Sequence, residues 1–207
     1  MTDYDDARFY NEMSLRIKDH WAKDLDLRYL QSLSYQNMAT MYGQTGRFVE
    51  AADCFEKALS LGADLYIIRW ALSHHNYGCM QALRGDAILA KRLFEKAYEL
   101  RQSSLGDHYD TAASLHMLAG CYQKERDKRS LEMARELLLE AVRILESKAC
   151  SRDSRRLART KFKLSIVLDS LGDPKAQPLR AEAQSLVAGD GNLFTDEAAF
   201  DALVSYV

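Results

Sequence analysis

Between Tyr35 and Ala58 the chain carries a run of residues that leaves it little choice of fold. Tyr35, Met38, Ala39 and Tyr42 recur at helical spacing, Gly46 interrupts the run, and Ala51, Phe55 and Ala58 resume it. That order predicts two helices joined by a reversal at Gly46. Ala39 and Ala51 allow the two axes to approach, while Tyr42 and Phe55 fill the space beside them. The first helix is expected from about Leu30 to Gly43 and the second from about Phe48 to Ser60, with Leu61 and Gly62 as its stop.

The pattern returns downstream. A second copy reads Tyr77, Gly78 and Gln81, then Gly85, then Ala90, Phe94 and Ala97; Gln81 stands where the first copy has an aromatic. A third opens at Leu105-Gly106-Asp107-His108, continues through Leu115, Leu118, Ala119 and Tyr122, and resumes at Ala134, Leu138 and Ala141. The charged stretch from Lys124 to Arg129 predicts a long turn between its helices. A degenerate fourth copy uses Leu164, Ser165, Leu168, Gly172, Ala176 and Ala183, with Arg180 in a slot filled elsewhere by an aromatic. Pro174 and Pro178 suit the first turn of its second helix. Ahead of the copies, Phe9, Tyr10, Met13, Ile17 and Trp21 form an amphipathic stripe expected to cover the first helix pair. After Gly189-Asp190-Gly191-Asn192, a short final helix is expected from Thr195 or Asp196, with Phe200, Leu203, Val204 and Val207 on one face.

These offsets between large and small positions resemble a tetratricopeptide repeat, and the run SLGDHYDTAASLHMLAGCY is similar to repeats of the kinesin light chain type. The resemblance implies an all-α chain, a right-handed α-solenoid of about four helix pairs with N- and C-terminal capping helices. Residues 1–27 would form the N-terminal cap, 28–188 the repeat array, and 189–207 a linker with the C-terminal capping helix. Two prolines in 207 residues agree with a nearly all-helical chain.

The resemblance also places an inner groove on the first helix of each pair. It implies Leu33, Gln36, Asn37 and Thr40 in the first repeat, and Leu72, His75, Asn76 and Cys79 in the second. Ala113, His116, Met117 and Gly120 follow in the third, and Arg159, Phe162, Lys163 and Ile166 in the fourth. The expected peptide contacts are Gln36, Asn37, Thr40, His75, Asn76, Cys79, His116, Arg159, Phe162 and Lys163. Asn37 and Asn76 occupy equivalent slots, where asparagines of the family hold a peptide backbone through one donor and one acceptor. Arg159 and Lys163 are one turn apart within a basic run from Arg143 to Lys163, which suggests a preference for acidic peptides. A full clamp for a terminal carboxylate is not expected, because Ala113, Met117 and Leu33 fill slots it would need. The final helix is read either as a cap on the fourth repeat or as an intramolecular plug in the groove.

The resulting expectation is a non-catalytic adaptor that binds a peptide segment of a partner protein, with no cofactor, no metal and no catalytic residue. The alternative is a small-molecule-binding protein or enzyme with a pocket around His75, Cys79 and His116, lined also by Tyr77 and Phe162. Imidazole and thiolate can ligate zinc or act as base and nucleophile, but equivalent positions on neighbouring helices are about 8–10 Å apart. A homodimer through the N-terminal stripe is a further alternative. The net charge of −2 gives no reason to expect nucleic acid, and no apolar run reaches the length of a membrane span. Cys54, Cys79, Cys121 and Cys150 show no paired spacing, and residues Met1 to Asp6 are unlike a secretory or mitochondrial leader. A cytoplasmic location is expected.

Overall fold

The computed structural model describes residues 3–22, 26–62, 66–147, 154–188 and 195–202. Among them are ten α-helices and no strand. α1 spans Asp3–Trp21, α2 Arg28–Gln44, α3 Phe48–Gly62, α4 Ile67–Arg84 and α5 Ala87–Leu105. α6 spans Tyr109–Glu125, α7 Lys128–Glu146, α8 Ser154–Ser170, α9 Ala176–Leu186 and α10 Glu197–Asp201. The chain divides into two compact units, one reaching Leu100 and the other starting at Arg101.

In the first unit the expected small and large positions close the helix pairs. Ala39, Ala51 and Ala58 are fully buried, and Phe55 stacks on Tyr77 of α4 with centroids 5.0 Å apart. Ala90, Phe94 and Ala97 of α5 are equally enclosed. Gly78 is the point of closest approach: a Cβ there would sit 2.7 Å from the Phe94 ring. The second unit repeats the scheme. Ala119, Ala134, Leu138, Leu164, Leu168 and Ala176 share one core beneath α6 to α9, and Ala183 joins a neighbouring core with Phe162 and Val187.

The reversals inside the pairs share one backbone device. Gly46, Gly85 and Gly172 all adopt positive φ, and the next residue's N–H bonds back five residues, to Tyr42, Gln81 and Leu168. The third pair has no such glycine, and the long turn expected there is absent. Lys124 and Glu125 belong to α6, and Lys128 and Arg129 to α7. Arg126 itself adopts φ 60°, and Asp127 caps α7 by accepting from the Ser130 N–H at 3.0 Å. The Ser130 hydroxyl then donates to Glu125 at 2.6 Å, which fastens the tight reversal. Pro178 lies in the first turn of α9, whereas Pro174 precedes that helix.

α1 packs on α2, though not through the expected stripe. Phe9, Tyr10, Met13, Ile17 and Trp21 are all exposed. Leu15 enters the core of the first unit instead, and the Lys18 ammonium donates to the Leu30 carbonyl at 3.1 Å and to Ser34. Gln31 donates to Asp19 at 2.7 Å. α2 offers polar partners along this seam, and the Lys18 face of α1 answers them where the apolar stripe has nothing to donate. Gly189 to Asn192, Leu203, Val204 and Val207 lie outside the described residues, as do Cys150, Lys148 and Arg152.

Candidate functional site

In the second unit the basic run resolves into two kinds of cation. Arg143 pairs with Asp107 and Glu140, Lys161 pairs with Glu146 and Glu182, and Arg156 lies 4.5 Å from the Tyr109 ring centre. Exposed pairs of this sort add little stability. Arg159 and Lys163 differ. Both are buried on the face of α8 that meets α10, with Phe162 between them.

α10 is what they meet. The Arg159 Nε donates to Asp201 Oδ1 at 2.7 Å, and Lys163 Nζ lies 2.7 Å from Glu197 Oε1. The Phe162 and Phe200 rings stack with centroids 4.1 Å apart, and Arg180 stands 5.7 Å from the Phe162 ring centre. Phe200 is 1 % exposed and shares a core with Ala158, Phe162, Ala183 and Val187. α10 therefore covers the end of the fourth helix pair and also occupies the residues expected to hold a peptide. α6 shapes the other side: Met117 Sδ accepts from Arg159 at 3.6 Å, and Gly120 leaves room for the Lys163 ammonium.

His116 lies beneath this cluster, wholly buried. Its Nδ1 is 3.2 Å from Thr160 Oγ1, and its Nε2 is 3.8 Å from Asp201 Oδ1, too far for a hydrogen bond. Burial, followed by the charges of Arg159 and Lys163, holds its pKa well below the ordinary imidazole value despite Asp201. Burial alone would raise the pKa of Asp201, yet the charges of Lys163 and Arg159 and the Arg159 hydrogen bond pull it far below the usual carboxylate range. At neutral pH His116 is thus a neutral imidazole and Asp201 a carboxylate.

A five-residue helix cannot persist by itself in water. Asp196 caps α10 by accepting from the Ala199 N–H at 2.8 Å, and the rest of its order comes from docking. Burying Phe200 contributes about 3 kcal/mol and its stacking about 1. Each half-exposed ion pair adds roughly 1–2 kcal/mol. Ordering the residues from Asp196 to Asp201 costs about 1 kcal/mol or more apiece. The gains and the cost are of the same order.

The first unit presents a different surface. Asn37 is exposed, and Thr40, Asn76 and Cys79 are half-buried on α2 and α4. Gln36 is buried and donates to Ser73, which ties α2 to α4. His75 is buried too, edge-on to Phe94 at 5.6 Å. Beside Gln36 and Leu33 lies a depression lined by Tyr29, Tyr66, Arg69 and Trp70. Helix periodicity did not single out these aromatics, because they stand at helix starts outside the repeated core positions. Phe200 was legible as an apolar position, but its pairing with Phe162 was not.

His75 and Cys79 belong to the first unit and His116 to the second. Among the described residues no group of three or more His, Cys, Asp or Glu side chains could hold a metal ion. Cys54, Cys79 and Cys121 form no disulfide, and burial pushes the Cys54 thiol to about 11, as expected of a packing residue.

Two family models match the sequence, both described as tetratricopeptide repeat, over residues 33–64 and 69–133. Residues 33–64 and 69–133 carry tetratricopeptide repeats. Solved structures agree on the fold of the chain. BtubC (BKLC) from P. vanneervenii has 21 % identity and a TM-score of 0.78, covering 94 % of this chain and 77 % of that one. A Podosopora anserina protein of nearly identical, kinesin light chain TPR-like repeats has 21 % identity and a TM-score of 0.66, covering 91 % and 95 %. The apo form of RapI has 14 % identity and a TM-score of 0.74, covering 98 % and 82 %. No curated protein matches the sequence. Among the described residues, no helix of this repeat protein is long and apolar enough to cross a membrane.

Proposed function

We propose that this protein is a non-catalytic adaptor that binds a linear, acidic segment of a partner protein on the first helices of its pairs. The supporting observation is the set Arg159, Phe162 and Lys163, in which two cations flank an aromatic ring on one helix and are met by two carboxylates and a second ring. Such a surface favours guests that bring acidic groups around an aromatic side chain. In the first unit, Asn37 and Asn76 keep side-chain amides accessible to the backbone of an extended guest. The aromatic depression beside Gln36 would receive an apolar side chain.

The enzyme reading has less support. His75 is packed against Phe94, and His116 is neutral and enclosed by Thr160, Arg159 and Lys163. A cytoplasmic location is part of the proposal, in keeping with cysteines that form no disulfide. So is self-association through the exposed stripe of α1. A dimer in solution that Ile17→Lys dissolves would support that part, and a monomeric native chain would remove it.

The adaptor reading is tested by selecting binders from a displayed random-peptide library with the full chain. Enrichment of acidic peptides, lost on Arg159→Glu with Lys163→Glu, supports it. Asn37→Ala with Asn76→Ala should weaken a selected peptide about tenfold with helicity unchanged. A library that yields no acidic enrichment removes the proposal.

A further inference from the structure

We infer that the docked segment around α10 is a stand-in for the partner. On this inference the second unit recognises a single helical turn with a carboxylate, an aromatic three residues on, and a second carboxylate next to it. The inference rests on the peptide-binding reading and adds to it the guest's conformation and its competitor.

The spacing follows from the contacts. Glu197, Phe200 and Asp201 meet Lys163, Phe162 and Arg159, so positions i, i+3 and i+4 of one turn fall on positions one turn apart in α8. An extended guest would space the same groups about 10 Å and 13 Å from the first, against roughly 5–6 Å on a helix. It could not satisfy Lys163 and Arg159 while stacking on Phe162. Asp196, which accepts from the Ala199 N–H, adds the start signal that such a turn needs. A partner with an aspartate or serine cap and this acidic-aromatic turn would make the same bonds. Because both compete for one face, the partner must displace residues 196–201.

The probe is a fluorescent peptide with the sequence of residues 195–202, TDEAAFDA. It is titrated against the full chain and against full chains carrying Glu197→Lys or Glu197→Lys with Asp201→Lys. Repulsion from Lys163 and Arg159 unseats the resident segment in these variants, and Glu197 is peripheral enough for its variant to keep the fold, checked by helicity. The expected result is at least tenfold tighter binding to the variants than to the native chain, lost when the probe's phenylalanine becomes alanine or its residues are scrambled. Equal affinity for native and variant chains overturns the competition. Equal binding of the scrambled probe overturns the helical pattern. In both cases the broader acidic-peptide reading survives if the library still yields acidic binders. No binding to any chain overturns the inference, and an empty library in addition removes the reading beneath it.

Discussion

Phe162 and Phe200 stack at 4.1 Å with their planes 15° apart, although 37 residues of chain, the whole of α9 among them, separate the two. On the inference that a partner displaces residues 196–201, truncating Phe200 should cost only what docking contributes. Phe200→Ala is expected to lower global stability by about 1 kcal/mol, against the 3–5 typical of a fully buried phenylalanine. Amide exchange in residues 197–201 should accelerate strongly, and mass-resolved hydrogen exchange reads both effects. A global loss of several kcal/mol would mean that α10 is integral to the fold.

Gly78 and Gly43 both sit in first helices of pairs, yet they should respond differently to a methyl group. At Gly78 the added Cβ meets three atoms of the enclosed Phe94 ring, the nearest at 2.7 Å. At Gly43 it meets the flexible Met80 side chain at 3.2 Å. Gly78→Ala should destabilise by about 2–3 kcal/mol. Gly43→Ala should stay within about 1 kcal/mol of the native chain, since alanine's helix propensity offsets a small shift of Met80. Urea unfolding of the two variants gives the comparison.

Arg126 holds a backbone conformation that costs a residue with a Cβ about 1 kcal/mol. Arg126→Gly should raise stability by several tenths to about 1 kcal/mol, the unfolded-state entropy of glycine offsetting part of the gain. A drop in melting temperature would show that the arginine side chain contributes more than its backbone costs.

The helix pairings and their small-residue contacts were legible because each repeat writes the same buried positions at helical spacing. The third reversal was not legible, since sequence rules assign positive φ to glycine and the chain uses Arg126. α1 misled for a related reason. Hydrophobicity marks the stripe from Phe9 to Trp21, but the polar edge of α2 selects the face bearing Leu15 and Lys18. At the site, inward placement of Arg159 and Lys163 followed from register. Their partners Glu197 and Asp201 did not, because nothing local connects Lys163 and Arg159 with residues 34 and 42 positions further on.

Leu15 and Ile17 therefore separate hydrophobicity from packing. Leu15→Ala should destabilise by about 2–3 kcal/mol, while Ile17→Ala should change stability by less than about 0.5 kcal/mol in the monomer. Thermal unfolding at low protein concentration checks both. The opposite ranking would put the apolar stripe back against α2.

Acid should weaken the fold through two histidines. Burial, then the charge of Lys96, pushes His74 down to about 4, and His116 is held low by burial and its cationic neighbours. Below about pH 6.5 the unfolded chain takes up protons that the folded chain refuses, so stability falls as pH falls. The slope is at most about 1.4 kcal/mol per pH unit for each imidazole. The His74 contribution is complete near pH 4 and that of His116 continues lower. Asp201 adds a separate loss, confined to pH below its ordinary value of 3.8. Urea midpoints at about pH 7 and 5 should differ in the native chain and converge for His74→Phe with His116→Asn.

The common reversal at Gly46, Gly85 and Gly172, echoed in the positive φ of Arg126, gives the hairpins similar internal bends. A whole hairpin could then be duplicated, removed or exchanged in an engineered array without redrawing its internal bend. Sequence drift on the outward surfaces would leave that joint untouched, so variants could diversify what they hold while keeping how they fold.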